Sequence, residues 1–333
     1  MLKRKLCEAR FEWKLTCEGP LLIADGRYEK PDNEQEKGKF PHKLFISRND
    51  PKEFNDGSKL ANPANLATFR FYAPGTSLRG PFRAQAERII RSLLPETASP
   101  PKTACDPFDM DKEDAKSCSK RLDNLGKTQS GLAYKSACPA CKLFGCTGTA
   151  SRIQFTDANI EPGYSSVYRD MIGIDRFTGG VYQGKGGANM RFHALENTSF
   201  ETTVTVVNFE LWQLGLLAYV FRDFQEGLVP IGFGKTKGFG LVKGEVRSIV
   251  LTYPKGKCDG AAIQHLGSLV SPEEFRTYGL ESESAINFKL KPEDPDLLSF
   301  YESFSVETDM PGFWAAVAPG FNRYLERLGG EAG

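Results

Sequence analysis

Five of the eight cysteines in this 333-residue chain fall between Cys105 and Cys146, in a stretch (95–149) that carries Pro, Lys and Asp and shows no amphipathic period. Such a segment has little with which to build a core of its own. Cys138-Pro-Ala-Cys141 sets two thiols at the spacing where both can grip one tetrahedral ion. Cys105 and Cys118 are the natural second pair, and Cys146 is a fifth candidate. This clustering points to zinc, and a closed four-thiolate site leaves no position for water, so its role is structural. The alternatives are unrelated buried thiols, or a redox pair lacking its usual βαβ context. Disulfides are disfavoured because Cys7, Cys17 and Cys258 are scattered. They are also disfavoured by the reducing compartment expected of a chain whose first residues, Met1 to Trp13, hold no signal-peptide core. No run approaches a membrane span, so a cytoplasmic protein is expected.

Around that insertion the pattern alternates between strand and helix. Ala9 to Cys17 has the apolar–polar alternation of a half-buried strand, and residues 24–66 read as a long excursion. Pro74-Gly75 marks a turn, with Thr76 or Ser77 as the cap of a helix reaching about Leu94. Ser151 to Ile160 reads as a strand and Phe200 to Asn208 as a β-branched one. Phe209 to Gln225 is a helix, and a strand runs from Phe239 to about Leu251. The order strand, helix, strand, strand, helix, strand predicts an α+β fold with a ferredoxin-like (RRM-like) core. In this reading the core is 1–254, interrupted by the 24–70 excursion, a zinc-binding insertion at 99–149 and a hairpin at 161–198. Residues 255–333 form a C-terminal helical extension, which docks on a neighbour or completes this chain's own core.

With a formal net charge of only +1, a nucleic-acid partner needs local basic patches. Two are legible. Gly232-Phe-Gly-Lys-Thr-Lys-Gly-Phe-Gly240 places Lys235 and Lys237 among glycines, including Gly234 and Gly238, that let backbone approach phosphate; Phe233 or Phe239 offers a ring for stacking. It lacks the spacing of a Walker loop and precedes a strand instead of opening a helix, so a tight turn closing the sheet stays open as the alternative. The second patch runs from Arg169 through Ile172, Arg176 and Phe177 to Lys185 and Arg191. Arginines alternating with apolar residues suit a protruding hairpin that grips phosphates and wedges bases, and such apolar groups are costly to expose without a partner.

Three motifs then occur in the order of the RAMP superfamily of CRISPR proteins. They are Pro74-Gly-Thr-Ser-Leu-Arg-Gly80, then Cys138-Pro-Ala-Cys-Lys-Leu-Phe-Gly145 with Ala150-Ser-Arg-Ile153, then Gly173-Ile-Asp-Arg-Phe-Thr-Gly179. With the 232–240 glycine loop, the chain resembles the type III backbone branch over roughly residues 9–250, with III-D and III-E members the first choice because a zinc insertion recurs there. The resemblance implies a subunit that stacks with other RAMP subunits along a CRISPR guide RNA, with a thumb hairpin displacing guide bases for target RNA pairing. It implies that Ser77, Arg79 and Arg83 meet guide phosphates, that Arg169 to Gly180 lies in or beside the thumb, and that Gly232 to Gly240 lines the RNA path.

Members of that branch often cleave target RNA through one aspartate and a divalent metal, magnesium or manganese. The comparable stretch here, Phe40 to Ile46, has no aspartate. Asp25 and Asp32 lie in the same excursion as substitutes, with His42 as a general acid or base. A simple turn at Asp25-Gly26 and a bystander histidine are the plainer readings. The expectation is an RNA scaffold without turnover. The alternatives are a metal-dependent target-RNA endonuclease in the same complex, a guide-processing RAMP nuclease, which the thumb-like segment disfavours, and a zinc-stabilised single-strand binder outside CRISPR.

Overall fold

The computed structural model describes residues 3–30, 40–109, 117–182, 190–294, 298–306 and 309–329. Alternation in Glu8–Cys17 (β1) buries Ala9, Phe11, Trp13 and Leu15 on one side of a sheet. β1 is central. It pairs antiparallel with Ser199–Val207 on one edge and with Val242–Pro254 on the other, with a bulge between Glu12 and Trp13 on the latter side. The short strand Ile153–Phe155 adds outside Ser199–Val207, while Tyr301–Ser305 and then Lys291–Pro292 add outside Val242–Pro254, giving six antiparallel strands.

Numbered along the chain, the principal elements are β1, α1 (Gly75–Ser92), β2 (Ile153–Phe155), β3 (Ser165–Met171), β4 (Met190–Glu196), β5 (Ser199–Val207), α2 (Leu211–Gln225), β6 (Val242–Pro254), β7 (Tyr301–Ser305) and α3 (Met310–Leu328). β1, α1, β2, β5, α2 and β6 supply the order strand, helix, strand, strand, helix, strand. Their strands lie β6-β1-β5-β2 in the sheet. One face carries the helices: Trp13 meets Phe82 of α1 edge-on at 5.5 Å and Phe224 of α2 at 4.9 Å, and Phe11 meets Phe221 at 5.3 Å. The other face is polar, with Thr203 donating to Glu12 and Lys14 paired to Glu161, as expected where an antiparallel sheet meets water.

Several local expectations are corrected. Thr76 and Ser77 lie inside α1 and do not cap it; Pro74 is the N-cap. The orphan amide of Gly75 is satisfied from far along the chain, donating to Asp157 Oδ1 at 2.9 Å. A Cβ at Gly75 would sit 2.3 Å from the Phe155 carbonyl, so this glycine lets α1 press against β2. The 151–160 strand is broken into Ile153–Phe155 and Ala158–Asn159. The last core strand begins at Val242, three residues later than read, because Gly240 (φ +76°) turns the chain at a point where a Cβ would lie 1.8 Å from the Ile231 carbonyl oxygen.

Residues 117–144 are helical where no period was legible: Cys118–Thr128, Ser130–Ser136 and Pro139–Phe144. The pattern is hidden because buried thiols stand where Leu or Ile would mark a helix face. Residues 40–73 likewise form a small lobe, in which Phe45, Phe54, Phe69 and Phe71 build an aromatic cluster that Tyr28 joins through Phe54. That lobe braces the β3–β4 hairpin: Lys43 bridges to Phe192, and Tyr168 Oη donates to the Leu60 carbonyl. α3 packs along α2, and β7 extends the sheet from β6, so residues beyond 255 contribute to the core.

Candidate metal centre and nucleic-acid interface

The Pro139–Phe144 helix begins at Cys138, whose sulfur accepts from the Cys141 amide at 3.4 Å, so the CxxC pair is held by its own helix start. Cys118 opens a second helix and Cys105 arrives from the preceding loop. The four sulfurs lie within 4.8 Å of one another, all buried, with Cys105 and Cys141 3.6 Å apart. A tetrahedral ion with metal–sulfur bonds of ~2.3 Å separates its ligand sulfurs by ~3.8 Å, so the cluster fits a metal such as zinc. Hydrogen bonds from Cys105 and Cys118 push Cys141 up, whereas Cys118 is pushed down by Cys105 and Cys138. One thiolate in the cluster forbids the next, and a cation would remove that conflict. Cys146 lies outside the set, half-buried and hydrogen-bonded to Thr149 Oγ1 at 3.3 Å.

Arg79 and Arg83, expected at guide phosphates, are turned toward this centre. Arg79 donates to the Phe144 carbonyl; Arg83 donates to the Gly145 carbonyl at 3.1 Å, to Glu87 at 2.8 Å and to the Cys141 sulfur at 3.4 Å. Ser77 is half-buried in the first turn of α1. Arg152, from the Ala150–Ile153 motif, is buried under the sheet edge. It donates to the Asn208 carbonyl at 2.7 Å, approaches Glu210 at 3.7 Å and covers the Tyr134 ring at 3.9 Å.

The other described cationic residues expected at RNA lie on the hairpin and on the glycine loop across a cleft from it. β3 and β4 pair from Ser165↔Glu196 to Met171↔Met190. Beyond them Ile172, Ile174 and Phe177 are exposed, as is Arg176. A cleft of about 730 Å³ separates the hairpin base from the glycine loop, lined by Arg169, Ile172, Met190, Lys237 and Phe239 among others. Arg169 pairs with Glu196, and Arg191 makes a two-pronged pair with Asp170 at 2.8 and 3.0 Å. Gly234 and Gly238, both left-handed, bracket the Lys235–Lys237 turn, which holds both lysines exposed. Phe233 stays partly exposed against Phe192, whereas Phe239 is buried and not free to stack on a base. Lys185 and Asp32 lie outside the described residues.

Asp25 is fully buried: Oδ1 accepts from the Arg27 amide at 2.9 Å and from its Nε at 3.0 Å, and Oδ2 accepts from Nη2 at 2.7 Å. Arg27 also donates to the Ser47 and Asn49 carbonyls, so the pair clips the excursion together. His42 Nδ1 accepts from the Arg191 amide at 3.0 Å, and Lys30 Nζ stands 3.2 Å from Nε2. Burial, with Lys30 adding to it, pushes this histidine down. Sequence reasoning missed Arg91, Arg121 and His193. The first was legible in the i, i+4 spacing of Arg79, Arg83, Glu87 and Arg91, and the second in its place three residues after Cys118.

The family model for the RAMP superfamily matches residues 14–243, well over half of the chain. No curated protein gives a match.

Proposed function

This chain belongs to the RAMP superfamily, which is CRISPR-associated and RNA-binding, and from that premise we propose that it is a guide-RNA-holding backbone subunit of a type III CRISPR ribonucleoprotein. One observation carries the reading: the hairpin extends Ile172, Ile174, Arg176 and Phe177 into solvent beside a cleft that Arg169 and Lys237 line. Exposed apolar groups flanked by cations suit displaced bases and their phosphates. The β6-β1-β5-β2 strand order supports a ferredoxin-like core, in which the 161–198 segment is the thumb and the 99–149 insertion holds structural zinc. No helix among the described residues is long and apolar enough to cross a membrane. The family reading puts the chain in the cytoplasm, on guide and target RNA beside other RAMP subunits.

Residues Cys105, Cys118, Cys138 and Cys141 would hold the zinc, which supplies cross-linking of the insertion and no chemistry at RNA. A scaffold is favoured over a magnesium- or manganese-dependent nuclease because the Asp25 carboxylate faces Arg27 and the protein interior. Co-expression with a guide RNA and the partner subunits tests this. Stoichiometric co-purification with nuclease-protected guide is expected, and a chain that purifies free of RNA while its partners retain the guide overturns it.

A further inference from the structure

The metal lobe is clasped by one stripe of α1. Arg79, Arg83, Glu87 and Arg91 follow at i, i+4 spacing, hence on one face of the helix. All three arginines donate into the lobe: Arg79 to the Phe144 carbonyl, Arg83 to Gly145 O and Cys141 Sγ, and Arg91 to Cys105 O at 2.7 Å. Glu87, itself buried, pairs with Arg83 at 2.8 Å and with Arg91 at 3.4 Å, fixing both. From the separate Cys118–Thr128 helix, Arg121 Nη2 donates to Cys118 Sγ at 3.4 Å and to the Ser136 carbonyl at 2.9 Å.

Four thiolates around a divalent ion leave two negative charges in a buried site, and burial of uncompensated charge is costly. Arg83 and Arg121 each place a guanidinium on one of those sulfurs, and Arg79 and Arg91 beside them keep the α1 stripe net positive although Glu87 offsets one of its charges. We propose that Arg83 and Arg121 are the outer shell of the metal centre, neutralising its thiolates and setting how tightly it holds the ion, and that Arg83 is thereby committed to the metal and not to guide phosphate. This rests on the zinc reading above.

Outer-shell donors of this kind change metal affinity ~10–100-fold. The test uses the full chain loaded with zinc and, separately, with cobalt(II), as wild type, Arg83→Gln, Arg83→Lys and Arg121→Gln. Zinc content of the wild type comes first: one zinc per chain supports the metal reading, and none overturns both that reading and this inference. With zinc present, Arg83→Gln and Arg121→Gln are expected to release it to a chromogenic chelator about tenfold faster or more. In the cobalt form the thiolate-to-metal charge-transfer band is expected to move to longer wavelength, because the sulfurs lose their stabilising donors; a merely structural role would not move it. Arg83→Lys, which retains the charge and should retain the fold, is expected to fall between. Unchanged release and an unchanged band in folded variants, or a loss of guide-RNA affinity in Arg83→Lys without any change at the metal, overturn the inference.

Discussion

The indole of Trp212 in α2 and the ring of Tyr324 in α3 stack at 4.2 Å with only 9° between their planes. Both are buried, and Tyr324 Oη lies 3.5 Å from Lys142 Nζ in the metal lobe. The C-terminal helix is therefore wedged between the core and the insertion. Tyr324→Ala should remove the stack and leave a cavity, costing ~3–5 kcal/mol by analogy with other buried aromatic truncations. Urea unfolding measures this as a lowered midpoint. A loss below about 1 kcal/mol would show that the helix contributes little to the fold in solution.

The cysteine set makes a sharper separation. Cys138→Ser should abolish stoichiometric metal and make the 105–146 segment more open to protease, since Cys105, Cys118, Cys138 and Cys141 join its helices and loop at one buried point. Cys146→Ser should keep the metal, because Cys146 bonds Thr149 and stands outside the four-sulfur group. Elemental analysis with limited proteolysis reads both. Equal metal loss in the two variants would bring Cys146 into the ligand set.

His193 predicts a pH response. Its Nδ1 accepts from the Phe45 amide at 3.2 Å and Nε2 contacts Ser166 Oγ at 2.6 Å, so the neutral ring joins the 40–73 lobe to the hairpin. Burial pushes it down to about 3. Between an unfolded value of ~6.5 and that figure only the unfolded chain takes up the proton, so stability falls as pH falls, by ~1.4 kcal/mol per unit. Burial pushes His42 and His265 the same way, while Glu281 and Glu283, raised by burial, act in the opposite sense. The informative quantity is thus the difference between wild type and His193→Gln in urea titrations from pH 7 to pH 5. The variant should show the flatter dependence, and parallel curves would contradict the buried neutral ring.

What sequence made legible was local. The CxxC pair, the β-branched run of β5 and the apolar α2 each declare themselves within a few residues, and the four sulfurs chosen on clustering are the four that converge. The partners of the arginines were not legible, because they are set by contacts across the chain. Arg79 reaches the Phe144 carbonyl 65 residues away, and Gly75 meets Asp157 across 82. An arginine beside a helix start reads the same whether it faces phosphate or a carbonyl. The aromatic lobe at 40–73 escaped for a related reason. Its rings pack with each other and with His193, so no single helix or strand period records them.

At the hairpin, stability and binding should separate. Phe177 is fully exposed and Ile172 half so, so Phe177→Ala and Ile172→Ala should leave the unfolding midpoint within about 0.5 kcal/mol of wild type. The same changes should weaken guide-RNA binding, by ~1–3 kcal/mol for a lost stacking ring. Arg176→Ala should lower the salt dependence of binding by ~1 in log–log slope. Undiminished binding in all three variants would remove the hairpin from the RNA path.

Asp25→Asn decides between clip and catalyst. The asparagine keeps the shape but donates where the carboxylate accepts, so one of the bonds from Arg27 is lost and a guanidinium is left short of its counter-charge. A hydrogen bond to a charged group contributes ~1.5–3 kcal/mol, and a drop in stability of that order is expected. Cleavage of target RNA by the assembled complex, mapped at nucleotide resolution, should be unchanged, because a carboxylate held by Arg27 inside the protein has no path to a metal-bound phosphate. Loss of one specific cut, with guide binding and assembly intact, would instead make this subunit a nuclease and require the Asp25–Arg27 pair to open when RNA is bound.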